Sequence, residues 1–221
     1  MLFLPGYASD MEGTKALAID AFAADRGLAM LRFDYSGTGE SGGLFEDGTL
    51  GGWLGEAQTM VDALTVGPLI VIGSSMGAWI ALHLALGIPG RIQAMVGIAA
   101  APDFTDWGFT DEQKARLHET GRLERWSEQG GKPQVTTLGF WESGQSLRLL
   151  DGPIAIDCPV RLVHGEADAD VPPGIAMRLM AQLRSADVQL TLVKGGGHRL
   201  SEPNEIAAIV QVVAALVEPV H

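Results

Sequence analysis

Cysteine is nearly absent: Cys158 is the only one in 221 residues. An internal disulfide is therefore excluded, and no cysteine metal cluster is available. Cys158 stands just before Pro159 and an apolar run, the setting of a small buried hydrophobe. Basic residues are scarce, with 15 Lys and Arg against 27 Asp and Glu and a formal charge of −12. That balance argues against nucleic acid and against anionic membrane surfaces as partners. The N-terminus lacks a basic region and a cleavage site, so no signal peptide is expected and a cytoplasmic location is. An unbroken membrane span is missing as well. Pro68 to Gly90 carries no Asp, Glu, Lys or Arg, but Gly73-Ser74-Ser75 divides it into a strand and a helix. Charged residues make up only 19% of the chain against 47% apolar, which is a globular composition without a disordered bias. Residues 1–221 read as one domain with a sizeable core, without repeats or a linker.

What is present is an alternation of strands and helices. Met1 to Leu4, Leu28 to Phe33, Leu69 to Ile72, Ala94 to Ile98, Val160 to Val163 and Val188 to Val193 read as strands. Thr14 to Arg26, Thr49 to Leu64, Met76 to Leu86 and Pro173 to Leu183 read as helices, and Ser201 is placed to cap a last one. The final helix carries a stripe of Ile206, Ile209, Val210, Val213, Leu216 and Val217. This order predicts an α/β fold: a parallel sheet joined by right-handed crossovers, with helices on both faces. Residues 102–157 break the rhythm. They are more polar, hold Trp107, Trp126 and Trp141, and contain Thr110-Asp111-Glu112-Gln113, a capping-box pattern. A second helix is expected over Phe140 to Leu150. An insertion placed after a strand's C-terminal end is positioned to cover a site there, so a small lid is expected.

The centre of the chain is Gly73-Ser74-Ser75-Met76-Gly77, a Gly-x-Ser-x-Gly turn between an apolar strand and an apolar helix. In that context the serine sits at a sharp strand-to-helix turn, beside free amides at the helix start. Five residues alone are a weak signal, so the partners matter. An activated serine needs a base and a group that orients the base. Among five histidines, His83 and His118 fall in helices, His164 ends a strand and His221 is the last residue. His198 follows the last strand in Gly195-Gly196-Gly197-His198, a loop able to bring an imidazole over the sheet end. The acid is expected after the preceding strand, where Glu166, Asp168 and Asp170 compete.

Taken together, Leu4-Pro5-Gly6-Tyr7, Gly13 to Leu17, Arg32-Phe33-Asp34-Tyr35-Ser36-Gly37, the Ser75 turn, His164-Gly165 with Asp168 and Val171-Pro172, and His198-Arg199 span most of the chain. On these stretches the sequence resembles the α/β-hydrolase superfamily. Within it, it looks like the mitochondrial palmitoyl-protein thioesterases, also described as acyl-glucuronide esterases, and their bacterial relatives. The resemblance implies Ser75 as nucleophile, Asp168 as acid and His198 as base. It also implies an oxyanion hole from the backbone N–H groups of Tyr7 and Met76. Tyr7 suits this role because it follows the Pro-Gly turn after the first strand. Such hydrolases usually carry two strands ahead of that one, so about six parallel strands are expected rather than eight, with consequences for the exposed sheet edge.

The implied activity is hydrolysis of an acyl ester or thioester, small or protein-borne, through an acyl-Ser75 intermediate, with no metal or cofactor. Trp107, Trp126 and Trp141 are candidate lid walls, and Arg199 is a candidate contact for an anionic substrate group. Two rivals are a ligand-binding protein on a hydrolase scaffold and a serine hydrolase of another reaction type, such as carbon–carbon bond hydrolysis. A dehydrogenase is disfavoured: Gly37-Thr38-Gly39-Glu40-Ser41-Gly42 matches a dinucleotide fingerprint, but no helix start follows it. Ser75 at the turn also disfavours hydrolases with a carboxylate nucleophile.

Overall fold

The computed structural model describes residues 1–125 and 133–217. Six parallel strands form one sheet: β1 (Leu2–Leu4), β2 (Leu31–Arg32), β3 (Leu69–Ser74), β4 (Ile92–Ile98), β7 (Val160–Gly165) and β8 (Val188–Val193). Their spatial order is β2-β1-β3-β4-β7-β8. The crossovers are α1 (Thr14–Asp25), α2 (Leu50–Leu64), α3 (Met76–Gly87) and α7 (Pro173–Gln182), and α8 (Pro203–Val217) closes the chain. This is the expected α/β-hydrolase fold.

The sheet is apolar on both faces. Phe3, Ile70, Ile72, Val96 and Ile98 pack under α1 and α8, against Ile19, Phe22, Ile209 and Val213. The alternate residues Leu2, Leu4, Val71 and Met95 pack under α2 and α3, with Trp53, Val61, Trp79 and Leu82. The period-two alternation of the strands thus feeds two cores at once. Helix α3 is buried continuously from Met76 to Leu82, as an all-round apolar helix between sheet and neighbours must be. The Pro68–Gly90 run is therefore β3 plus α3. Among the described residues no helix is long and apolar enough to cross a membrane.

Several boundaries differ from the sequence reading. Strand β2 starts three residues late. The Leu28 amide donates to the Ala23 carbonyl and the Gly27 amide to Ala24, with Gly27 at φ +64°. This Schellman closure holds residue 28 on the helix end and off the sheet. Helix α8 starts at Pro203 rather than on a Ser201 cap. Glu205, three residues into the helix, accepts the Glu202 amide at 2.9 Å, so a glutamate supplies the cap interaction. Cys158 is only partly buried, at the rim of the larger core.

Residues 102–157 hold α4 (Phe104–Trp107), α5 (Asp111–Thr120), an antiparallel pair β5 (Arg122–Arg125) and β6 (Gln134–Thr137), and α6 (Leu138–Ser146). The Thr110–Gln113 capping box is formed in both directions. Helix α6 stops short of Leu150. The Leu147 carbonyl accepts from Trp79 Nε1 at 3.0 Å, and His83 Nε2 lies 2.8 Å from it. The Leu149 and Leu150 amides donate to the buried Asp103 carboxylate. Phe109, Leu117 and Leu123, with Trp141 against them, form a small separate core. The β5–β6 pair was not read from the sequence.

Candidate active site

Ser75 stands between β3 and α3 with φ +53°, a backbone state that costs on the order of 1–3 kcal/mol in a non-glycine residue. Its flanking glycines are required by space. A Cβ on Gly77 would lie 2.1 Å from the Leu4 carbonyl oxygen, and one on Gly73 would lie 2.4 Å from that of Gly77. The turn is thereby wedged against the end of β1. The Ser75 amide is held by the Ile98 carbonyl of β4 at 2.8 Å. The serine hydroxyl thus projects at the C-terminal ends of the central strands, where open α/β sheets place their ligands.

His198 reaches Ser75 from the loop after β8. Its Nε2 lies 3.1 Å from Ser75 Oγ, and its Nδ1 lies 2.9 Å from Asp168 Oδ2. A carboxylate accepts only, so Nδ1 carries the proton and Nε2 is left to accept from the hydroxyl. Asp168 comes from the loop after β7 and is buried. Its other oxygen accepts the Asp170 and Val171 amides at 3.0 and 2.8 Å. Burial pushes the carboxyl upward. Hydrogen bonds from His164, His198 and the Val171 amide, with the charge of His198, outweigh it and hold the pKa well below the usual range. His164 is buried behind this group. Its Nε2 donates to the Val171 carbonyl at 2.8 Å and lies 3.3 Å from Asp168 Oδ2.

The three acids separate clearly. Glu166 turns to the Gly195 amide at 3.1 Å, Asp170 is exposed, and Asp168 alone takes the His198 ring. Asp168, Asp170 and His198 also present ligand atoms within 4.8 Å of one another, the spacing of a cation's donor set. Two of these three are already bonded to each other.

Tyr7 lines two cavities at Ser75, and Met76 follows the serine in sequence. Tyr7 lies in the turn after β1, and a Cβ on the preceding Gly6 would sit 3.3 Å from Ser75 Cβ. Met76 opens α3. Among the described residues neither amide donates to a carbonyl in the turn and loop bonds. The Tyr7 ring packs against Phe45, Trp53, Phe104 and Phe140. Burial raises its hydroxyl pKa to about 12.

Two cavities meet at Ser75 and His198. One, of about 240 Å³, is walled by Phe104, Trp107, Phe109 and Val171, with Arg125 and Asp170 also lining it. The other, of about 520 Å³, is lined by Lys15, Arg199, Asp10 and Ser9 among others. Of the three tryptophans singled out in the sequence, Trp107 lines the site. Trp141 does not: it packs in the insertion's own core and donates to the Thr105 carbonyl at 2.7 Å. Trp126 lies outside the described residues, as does His221. Phe104, Phe109 and Arg125 were missed; their one signal was the aromatic content of a polar stretch. His118 packs on Trp141 and His83 lies under α6, both away from the serine. The Gly37–Gly42 stretch folds on itself, with the Gly37 amide on the Gly42 carbonyl, and α2 starts only at Leu50.

The profile of the alpha/beta hydrolase family matches residues 1–209. The human mitochondrial palmitoyl-protein thioesterase ABHD10 is 37% identical over 224 residues, covering 99% of this chain and 72% of that protein. A putative hydrolase from Agrobacterium vitis S4 superposes with a TM-score of 0.93 at 43% identity, covering 98% of this chain and 87% of the other. Mouse alpha/beta hydrolase domain-containing protein 10 superposes at 0.90 with 33% identity, covering 98% and 88%. With the serine turn, the strand order and these likenesses in agreement, the chain belongs to the alpha/beta hydrolase family.

Proposed function

We propose that the protein is a serine hydrolase that cleaves acyl thioesters or esters through an acyl-Ser75 intermediate. The observation that carries this reading is the bonded series Ser75 Oγ, His198 Nε2, His198 Nδ1, Asp168 Oδ2, at 3.1 and 2.9 Å. His198 takes the Ser75 proton as Oγ attacks the acyl carbon. The carbonyl oxygen gains the charge and is met by the Tyr7 and Met76 amides, a term worth about 10²–10³ in rate per donor. As the tetrahedral centre collapses, His198 returns the proton to the leaving sulfur or oxygen. Water then attacks the acyl-enzyme with His198 again as base, and free Ser75 and the acid result.

Thioesters come first because the human and mouse relatives, 37% and 34% identical, are named palmitoyl-protein thioesterases. An acylated protein is one form such a substrate takes. The aromatic cavity beside Phe104 and Trp107 suits an apolar acyl chain. In this reading 1–221 is one catalytic domain and 102–157 is its lid. The cytoplasmic location belongs to the same reading, although the human relative is named as mitochondrial. Immunodetection in fractionated source cells tests it.

The experiment is labelling with a fluorophosphonate, alongside hydrolysis of acyl thioesters and esters of graded chain length. Native protein is expected to label and turn over, and Ser75→Ala to do neither. Labelling that survives in Ser75→Ala, or a native protein inert to both, overturns the proposal.

A further inference from the structure

The larger cavity contains a charge arrangement at odds with the rest of the chain. Acids outnumber bases 27 to 15, yet Lys15 and Arg199 line this cavity together. Neither side chain has a carboxylate at ion-pair distance among the described residues, whereas Arg32, Arg161, Arg178 and Arg184 each do. The Lys15 ammonium donates to the Arg199 carbonyl, which uses one of its three protons. Burial lowers its pKa; Glu205 opposes this, and Arg199 adds to it, so the two cations act on each other. Two acids stand nearby, and each has an oxygen engaged. Asp10 accepts the Glu12 amide at 2.9 Å, and Glu205 accepts the Glu202 amide at 2.9 Å.

The other cavity that Ser75 and His198 line has Phe104, Trp107, Phe109 and Val171 in its walls, and its arginine, Arg125, is engaged with the Gly108 carbonyl and the Phe109 ring, with Asp170 also in the lining. An acyl carbon attacked by Ser75 has its chain on one side and its leaving group on the other. The aromatic walls of Phe104, Trp107 and Phe109 suit the chain, which leaves the cavity of Lys15 and Arg199 for the group released. We propose that Lys15 and Arg199 form an anion-recognising subsite, so that the favoured substrate carries a carboxylate or phosphate on its leaving group. This rests on the acyl-hydrolase reading above and adds a specificity to it.

Matched thioesters with one octanoyl chain test it. Octanoyl-mercaptopropionate is compared with octanoyl-mercaptopropionamide, and octanoyl-phosphopantetheine with octanoyl-pantetheine. The first pair isolates a carboxylate and the second a phosphate. The native protein is expected to favour the charged member of at least one pair by about tenfold in kcat/KM, mainly through KM, as one charge-assisted hydrogen bond supplies. The preference should shrink as salt shortens the screening length. Lys15→Met and Arg199→Gln should each lower the charged-to-neutral ratio several-fold. Arg199 is exposed, so its variant decides the matter if Lys15→Met fails to fold by circular dichroism. Ratios near one in the native protein, or ratios that survive in a folded variant, overturn the subsite. Failure to hydrolyse either member of both pairs overturns the acyl-hydrolase reading instead.

Discussion

The Tyr7 hydroxyl donates a 2.8 Å hydrogen bond to the Val135 carbonyl, joining the turn after β1 to strand β6 across 128 residues of sequence. The residue whose amide is proposed for the oxyanion hole thus ties its side chain to the insertion. Tyr7→Phe keeps the ring among Phe45, Trp53, Phe104 and Phe140 and removes only the donor. The expected loss is about 1–2 kcal/mol of stability, since a part-buried carbonyl loses its partner. If the bond also steadies the turn, kcat should fall with KM little changed. Chemical denaturation and steady-state kinetics on the variant check both, and an unaltered midpoint would contradict the first.

Gly77 and Gly55 should respond to alanine in opposite ways. At Gly77 the new Cβ meets the Leu4 carbonyl at 2.1 Å, and the backbone of β1 or α3 must move. A loss above about 4 kcal/mol, or no soluble protein, is expected. At Gly55, exposed in α2, a Cβ meets nothing within 4 Å, and helix propensity gives a gain of about 0.5–1 kcal/mol. Thermal melts of the two variants decide.

Asp168→Asn tests the proposed orienter of His198. An amide in that place is free to present its NH₂ to Nδ1 and so favours the wrong tautomer, and a loss of about 10⁴ in kcat is expected, as in other Ser-His-Asp sites. Fluorophosphonate labelling rates measure it directly.

The same carboxylate sets an acid limit on stability. Its folded pKa lies below its unfolded one, so the unfolded state binds the proton more readily. The resulting stabilisation is fully present above about pH 4 and is lost as pH falls through the folded value. The difference in unfolding free energy between the native protein and Asp168→Asn should therefore narrow below about pH 4. A constant difference across that range would refute the assignment.

Asp103 anchors the far end of the insertion. Its carboxylate is buried, its backbone has φ +58°, and it accepts the Leu149 and Leu150 amides at 2.9 and 2.7 Å. Asp103→Ala strands both amides, and a cost of about 2–4 kcal/mol is expected. Hydrogen exchange at residues 147–151 should rise with it; protection unchanged there would show that other contacts hold the segment.

The serine turn and the order of strands and helices were legible in the sequence because both are local. An apolar β-branched run, two glycines four residues apart and an apolar helix declare a strand–turn–helix wherever they occur. His198 was singled out for a related reason: a glycine run sets it directly after the last strand, at the sheet end where the serine turn also lies. The acid was not legible in its loop, where Glu166, Asp168 and Asp170 are alike; the family resemblance alone singled out Asp168. The turn geometry sets Asp168 against the His198 ring and Glu166 against Gly195. The end of α6, the late start of β2 and the β5–β6 pair were also decided in three dimensions. In the first two, backbone groups bond to Asp103, Trp79 and Ala23 instead of extending their own element. In the third, Leu123 is the one apolar residue of β5, too little for a pattern. The meeting of Lys15 with Arg199 belongs to the same class, because 184 residues of chain separate the lysine from the backbone carbonyl that it reaches. Local chemistry is written in neighbouring residues, and a site's walls are written in which distant surfaces the core brings together.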